Sequence, residues 1–278
     1  MIKRVMVEEG SEQLLPFLKW AGGKRWLWKN YASHFPTTFK RYFEPFLGGG
    51  AIFLSVRPPS GVLADINEDL VCSYKAIKED WRAVASGLRK HQKLHSKDHY
   101  YQVRKTLPNG HVDRAVRFLY LNRTCWNGLY RVNLNGEFNV PKGTKNTVVL
   151  AGDDLQETSV RLQHMRLIVG DFEKTLASVD KGDFVYIDPP YTVKHNVNGF
   201  LKYNENIFSW SDQERLAACV MRLAKRGAQI LVSQADHSSI RKLYDAVGSH
   251  HIVKRSSIIA ASAARRGAVT ELLIRVNF

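Results

Sequence analysis

The sequence predicts an α/β fold: a mostly parallel sheet with helices on both faces, interrupted by an inserted, mainly helical region that carries a hairpin. Three observations lead there. Short apolar strands alternate with glycine turns and helices from Phe39 to Lys78. The same alternation resumes at Arg166. Between Trp81 and His164 the strand signal gives way to helical periodicity.

Taken in order, Arg41–Glu44 reads as a buried strand, Phe46–Gly50 as a tight glycine loop and Ala51–Val56 as the helix it opens. Gly61–Asp65 is the next strand, ending in a carboxylate, and a helix follows over Glu68–Lys78. Helical periodicity then covers Trp81–Leu94, Tyr100–Leu107 and Arg114–Leu121, while Asn122–Pro141, rich in Asn, Gly, Arg and aromatics, reads as a hairpin or extended loop. Arg166–Val169 and Phe184–Ile187 return to strand. Ser211–Glu214 has the residue types of a capping box, opening a helix whose apolar stripe is Leu216, Val220, Leu223 and Ala224 and whose end falls near Gly227. Gln229–Ser233 is a further strand, and Ile252–Val253 with Glu271–Val276 form an antiparallel edge. The expected division is a sheet domain over 1–80 and 165–278 and an insert over 81–164.

With 278 residues, 44% apolar and 24% charged, the chain has the make-up of an enzyme-sized globular protein. It has no apolar window near the ~18 residues of a membrane span and no secretion signal at its start, so the expectation is a cytosolic protein without a membrane partner. Cys72, Cys125 and Cys219 are too few and too scattered for disulfides, structural zinc or an iron–sulfur centre, and no metal is expected. The formal net charge of +15 points to a polyanionic partner, nucleic acid first. Its basic residues are interleaved with structure: Lys19, Lys24 and Arg25; Arg123 and Arg131; Lys142 and Lys145; Arg265 and Arg266.

The most telling run is Asp188-Pro189-Pro190-Tyr191, placed where the strand Phe184–Ile187 runs out. Two prolines fix φ and remove two donors, leaving a rigid rim of acceptors. An acceptor-only carboxylate and an aromatic face beside that rim suit a planar group bearing N–H donors, such as the exocyclic amine of a base. A surface turn would use the same residue types, so the run is weighed with its neighbours. Glu44-Pro45-Phe46-Leu47-Gly48-Gly49-Gly50 is a strand-to-helix turn that admits close approach of a ligand, without the spacing of a dinucleotide or P-loop motif. Asp65 closes a second strand, where a carboxylate can accept both hydroxyls of a ribose or cap the following helix. Phe17–Lys24 joins an apolar segment to a glycine pair and two lysines, and Asp171-Phe172 lies at a third strand end. All of these converge on the carboxyl edge of one sheet, where open α/β folds bind ligands.

Six motifs in order, Phe17-x-Lys-Trp-Ala-Gly-Gly-Lys24, Glu44-Pro-Phe-x-Gly-Gly-Gly50, Ala64-Asp-Ile-Asn67, Leu121-Asn-Arg123 with Asn127-Gly128, Gly136-Glu-Phe-Asn-Val-Pro141 and Asp188-Pro-Pro-Tyr191, resemble the Dam-type (class alpha, D12) DNA adenine-N6 methyltransferases over nearly the whole chain. The resemblance implies a Rossmann-like methyltransferase sheet that binds S-adenosylmethionine, with the insert as target-recognition domain. Its implied cofactor residues are Trp20, Lys24, Glu44, Phe46, Gly48, Gly50, Asp65 and Asp188, with Asp171 and Phe172 near the cofactor's adenine. Asp188, Pro189, Pro190 and Tyr191 are the implied catalytic set. Lys19, Trp126, Asn127, Leu129, Arg131, Asn133 and Pro141 are the residues expected to face double-stranded DNA, with Trp126 or Leu129 as a wedge and Lys19, Leu129 and Arg131 suggesting GATC. The chain departs from the family at Ala260–Gly267, where a glycine-rich loop is usual. An RNA adenine methyltransferase and a non-catalytic DNA-binding module are the alternatives, and a monomer or weak dimer is expected.

Overall fold

The computed structural model describes residues 3–4, 14–133, 135–193, 208–256 and 268–278. A short pair, β1 (Lys3–Arg4) with β2 (Thr38–Phe39), stands apart from the main sheet. That sheet is built from β3 (Tyr42–Glu44), β4 (Gly61–Asp65), β5 (Met165–Val169), β6 (Phe184–Ile187), β7 (Gln229–Ala235), β8 (Ser249–Ser256) and β9 (Ala268–Val276). They lie in the order β5-β4-β3-β6-β7-β9-β8. The first five are parallel, and β9 runs antiparallel between β7 and β8. From β3 the chain steps outward through β4 to β5, then returns to place β6 on the other side of β3. The order reverses between β3 and β6, which brings the carboxyl ends at Glu44 and Ile187-Asp188 side by side, the usual position of a ligand crevice.

The strands are apolar on both sides because both faces are covered. Tyr42, Leu63, Phe184, Tyr186, Leu231 and Leu273 point into one core with the helices of the insert. Phe43, Val62, Val185, Ile187, Ile230, Val232, Leu272 and Ile274 point into the other, packed by the Trp210–Lys225 helix. The two sets alternate along each strand, as the two-residue period of a pleated strand requires.

Glu68–Lys78 and Trp81–Leu94 stand as expected, two helical stretches within α3 (Glu68–Leu94) parted by Asp80, which is non-helical at φ −147°, ψ 75°. The Asp80 carboxylate accepts the Ala83 N–H at 2.9 Å and so caps the second half in place of a loop. Several expected boundaries move. The next two helices are Lys97–Lys105 and α5 (His111–Thr124), each longer at its start than the periodicity indicated. The capping box is Ser209 with Asp212, two residues before the expected start at Ser211; a helix beginning at Trp210 leaves Ser211 inside its first turn. Asn122–Pro141 divides between the end of α5 and a hairpin held by Asn133 N–H to Glu137 C=O (2.9 Å) and Asn139 N–H to Arg131 C=O (3.1 Å). The antiparallel edge is longer than predicted, at eight and nine residues. Ala260–Gly267, with Arg265 and Arg266, lies outside the described residues. The three cysteines are free, and no described helix is long and apolar enough to cross a membrane.

One buried cation joins the insert to the N-terminal segment. Arg123, on the last turn of α5, is fully enclosed and donates to both oxygens of Asp153 (2.6 and 2.8 Å), to the Phe17 carbonyl (2.6 Å) and to the Val148 carbonyl (2.7 Å). Removing one member of such a set leaves the rest buried and unpaired. Arg123→Ala is therefore expected to lower the free energy of unfolding by about 3–5 kcal/mol in urea titration, and an unchanged midpoint would contradict this role.

Candidate active site

Lys24 enters the site from the residue preceding α1 (Arg25–Tyr31), and its side chain is 5% exposed. An ammonium has three donors, and three acceptors surround this one: Asp188 Oδ1 at 3.2 Å, Glu271 Oε2 at 3.2 Å and Tyr191 Oη at 2.8 Å. The Tyr191 hydroxyl donates in turn to Glu271 Oε2 at 2.7 Å and lies 3.0 Å from Ser233 Oγ. The ammonium also sits 4.6 Å from the centre of the Tyr191 ring. Asp188, 17% exposed, thus stands at the β3–β6 reversal with a cation behind it and the Pro189-Pro190 rim beside it. Burial, first, pushes its carboxyl up to about 6; Lys24 pulls the other way and Glu271 adds to the rise. Near neutral pH it is mainly an anion.

The glycine loop forms the second wall. Leu47 N–H bonds the Ala64 carbonyl (2.9 Å), and Asp65 receives Gly48 N–H (2.9 Å) on one oxygen and Asn67 N–H (2.9 Å) on the other. The helix cap is Asn67, whose side chain accepts from Leu70 N–H, so Asp65 braces the loop and leaves capping to its neighbour. Gly48 and Gly50 have φ of +48° and +63°. A Cβ on Gly48 would lie 2.7 Å from Trp20 Cδ1, and one on Gly50 would lie 2.5 Å from the Tyr74 hydroxyl, so the indole and the phenol fill the space that both glycines leave. Glu44 is buried and accepts from Tyr42 Oη at 2.8 Å; burial, with Asp188 and Asp65 nearby, holds its carboxyl well above the usual range. Burial raises Asp65 as well.

Phe46, half-buried, stacks on buried Phe172 at 5.7 Å and 29°. Asp171 caps the helix that begins at Phe172 and pairs with Arg215 at 3.1 Å, while the Arg215 guanidinium covers the Phe172 ring at 5.0 Å. Gly170 N–H bonds the Asp65 carbonyl at 3.1 Å, which sets the ends of β4 and β5 next to each other.

A separate basic and aromatic surface lies on the insert. The backbone N–H and C=O of Lys19 are both held by the side chain of Asn122 (2.9 and 2.8 Å), and its stem packs where a Cβ of Gly128 would stand. Burial and the nearby Lys145 lower the Lys19 ammonium's pKa. Trp126 and Leu129 are 51% and 47% exposed and flank Asn127, which takes φ +56°. Arg131 Nε donates to Asn139 Oδ1 at 2.8 Å, and Asn133 closes the hairpin turn by accepting from Asn135 and Glu137 N–H. The exposed Pro141 accepts from Trp126 N–H at 2.9 Å through its carbonyl.

The structure therefore gathers Lys24, Glu44, Asp65, Asp188 and Tyr191, with Trp20 over the glycine loop, at one sheet edge. It sets Lys19 against the insert, beside the Trp126–Pro141 residues that the insert carries. Sequence reasoning missed Glu271, Ser233 and the clasp by Asn122. A lone carboxylate opening the apolar run Glu271-Leu-Leu-Ile and a serine inside Ile230–Ser233 were the available signals.

The structure thus carries buried carboxylates around Lys24 at the strand reversal and, separately, a basic and aromatic surface over Lys19 and Trp126–Arg131. The chain belongs to the D12 class N6 adenine-specific DNA methyltransferase family, whose profile matches residues 20–258, and it is an adenine-specific DNA methyltransferase. It is 33% identical to the type II methyltransferase M1.LlaDCHI of Lactococcus lactis subsp. cremoris, over 97% of this chain and 98% of that protein. It is 35% identical to the type II methyltransferase M.MjaIII of Methanocaldococcus jannaschii, over 94% and 99%. The DNA adenine methylase of Salmonella typhi is 35% identical over 92% and 93%.

Proposed function

We propose that the methyl donor is S-adenosylmethionine, that the target is adenine N6 in GATC within duplex DNA, and that Asp188 receives the amino group. The carrying observation is the pairing of Asp188 with Lys24 at the reversal of the sheet, at 3.2 Å, beside the Pro189-Pro190 rim. The charges around it support a cationic donor. Glu44, Asp65, Asp188 and Glu271 bring four carboxylates to one edge against buried Lys24 and half-buried Arg255, and burial raises Glu44, Asp65 and Asp188. A bound cation relieves that excess.

In this reading Asp65 would hold the ribose, using lone pairs left over from its two backbone contacts. Lys24 would stand behind Asp188 where the donor approaches, Trp20 and the Gly48–Gly50 loop would line the donor's flank, and Phe46, Asp171 and Phe172 would border its adenine. The bound donor supplies a methyl group activated on a sulfonium sulfur.

The amino nitrogen of adenine is a poor nucleophile because its lone pair is delocalised into the ring. Asp188 and the Pro189 carbonyl accept its two N–H bonds and favour a pyramidal nitrogen whose lone pair faces the incoming methyl. Most of the acceleration comes from this positioning and from fixed acceptors aimed at the charge that develops on nitrogen. The target lies inside a duplex, so the base must leave the stack. Tyr191 stacks on it, Pro190 borders it, and exposed Trp126 or Leu129 fills the gap. Lys19 and Arg131 read guanine edges, Asn127, Asn133 and Pro141 shape the hairpin that carries them, and Lys142 and Lys145 meet phosphates. The insert over 81–164 is the target-recognition domain in this account, a division supported by the break at Asp80. The protein acts in the cytosol, as a monomer or weak dimer.

Asp188→Ala should slow methyl transfer on the order of 10²–10³-fold while duplex binding stays within a small factor; near-normal turnover would reject the acceptor role. Plasmid from a methylation-free host expressing the protein should resist an enzyme that cuts only unmodified GATC. Complete cleavage, with N6-methyladenine found in another sequence, would reject that specificity.

A further inference from the structure

Glu271 is 2% exposed at a register position opposite Ala235 of β7 and Val253 of β8. Its Oε2 meets Lys24 at 3.2 Å and the Tyr191 hydroxyl at 2.7 Å. Its Oε1 has no hydrogen-bond donor among the described residues, although Arg255 Nε stands 3.0 Å away in ion-pair range. A carboxylate this deeply buried is held by charged and hydrogen-bonding neighbours, Arg255 on the Oε1 side and, on the Oε2 side, a second pair. That pair is the cation and the phenol that flank Asp188.

Lys24 spends all three donors on Asp188, Glu271 and Tyr191. Without Glu271, the whole charge of Lys24 would fall on Asp188, the oxygen closest to it would become a weaker acceptor, and the Tyr191 hydroxyl would lose its anchor. We propose that Glu271 is a positioning residue for methyl transfer: it holds the Lys24 ammonium and the Tyr191 hydroxyl so that Asp188 keeps its acceptor oxygens for the amino group. This rests on the reading that Asp188 receives that group.

The charged and titratable groups facing Asp188 are Lys24 before α1, Glu44 on β3, Tyr186 on β6, Tyr191 in the tetrapeptide and Glu271 on β9, with Arg255 of β8 behind Glu271. Glu271 opposes ionisation of Asp188, so its neutralisation lets the anion persist to lower pH. Arg255 offsets the charge of Glu271, so its removal acts in the opposite sense.

The test is the pH dependence of kcat/KM for methyl transfer, with thermal melting as a check on folding. The wild type should show an acid limb near pH 6. Glu271→Gln should lower kcat on the order of 10²-fold with little change in KM for DNA, and should move the limb roughly one pH unit lower. Glu271→Asp, which keeps the charge, should leave the limb near its wild-type position. Arg255→Gln, at a side chain one-third exposed, should move it upward, and it decides the matter if Glu271→Gln does not fold. An unmoved limb in Glu271→Gln, whether turnover is normal or slow, would overturn the proposal, as would an unmoved limb in Arg255→Gln. Activity in Asp188→Ala would instead overturn the acceptor reading on which it rests. An inert Asp188→Ala beside a wild-type-like Glu271→Gln would overturn this inference alone.

Discussion

A buried ammonium governs the arrangement of this molecule. Taking Lys24 out of water carries a desolvation penalty of several kcal/mol, and the fold offsets it with two carboxylates, a phenol oxygen and an aromatic ring. Those partners come from places far apart in the chain. Asp188 and Tyr191 follow β6, and Glu271 lies in β9; Ser233 of β7 joins through Tyr191. Satisfying one lysine therefore ties the N-terminal segment to the reversal of the parallel sheet and to its antiparallel edge. The same requirement fixes where the Asp188 carboxylate stands.

The segment from Phe17 to Lys24 is held at both ends. At one end Asn122 clasps the Lys19 peptide groups and Arg123 holds the Phe17 carbonyl. At the other end Lys24 is locked into the sheet edge, and between them Trp20 lies on the glycine loop. Eight residues thus connect the basic surface of the insert to the crevice. Polar contacts at both ends thus set the positions of Lys19 beside the insert and of Lys24 at the sheet edge through one short stretch of chain.

Much of this was legible in the sequence, and the reasons differ by element. The strands Gly61–Asp65 and Phe184–Ile187 were read to the residue because continuous apolar runs bounded by Gly, Asp or Pro have few other uses. The separation of Glu68–Lys78 from Trp81–Leu94 was legible too, and non-helical Asp80 stands in the gap, its carboxylate capping the second stretch. The carboxylates at Asp65 and Asp188 stood out because each closes a strand. Glu271 did not, since it lies inside a strand 83 positions after Asp188 and only the antiparallel return of β9 brings the two together. The register of a returning strand is long-range information that residue spacing does not carry.

The most direct test of the account is a crystal structure with sinefungin, a non-transferring analogue of S-adenosylmethionine, and duplex DNA. The analogue should lie along the Gly48–Gly50 loop with its ribose against Asp65, and an extruded adenine should place its amino nitrogen within about 3 Å of Asp188 while Lys24 remains paired with Glu271. An analogue bound away from Asp188, or an amino group held by other residues, would contradict it.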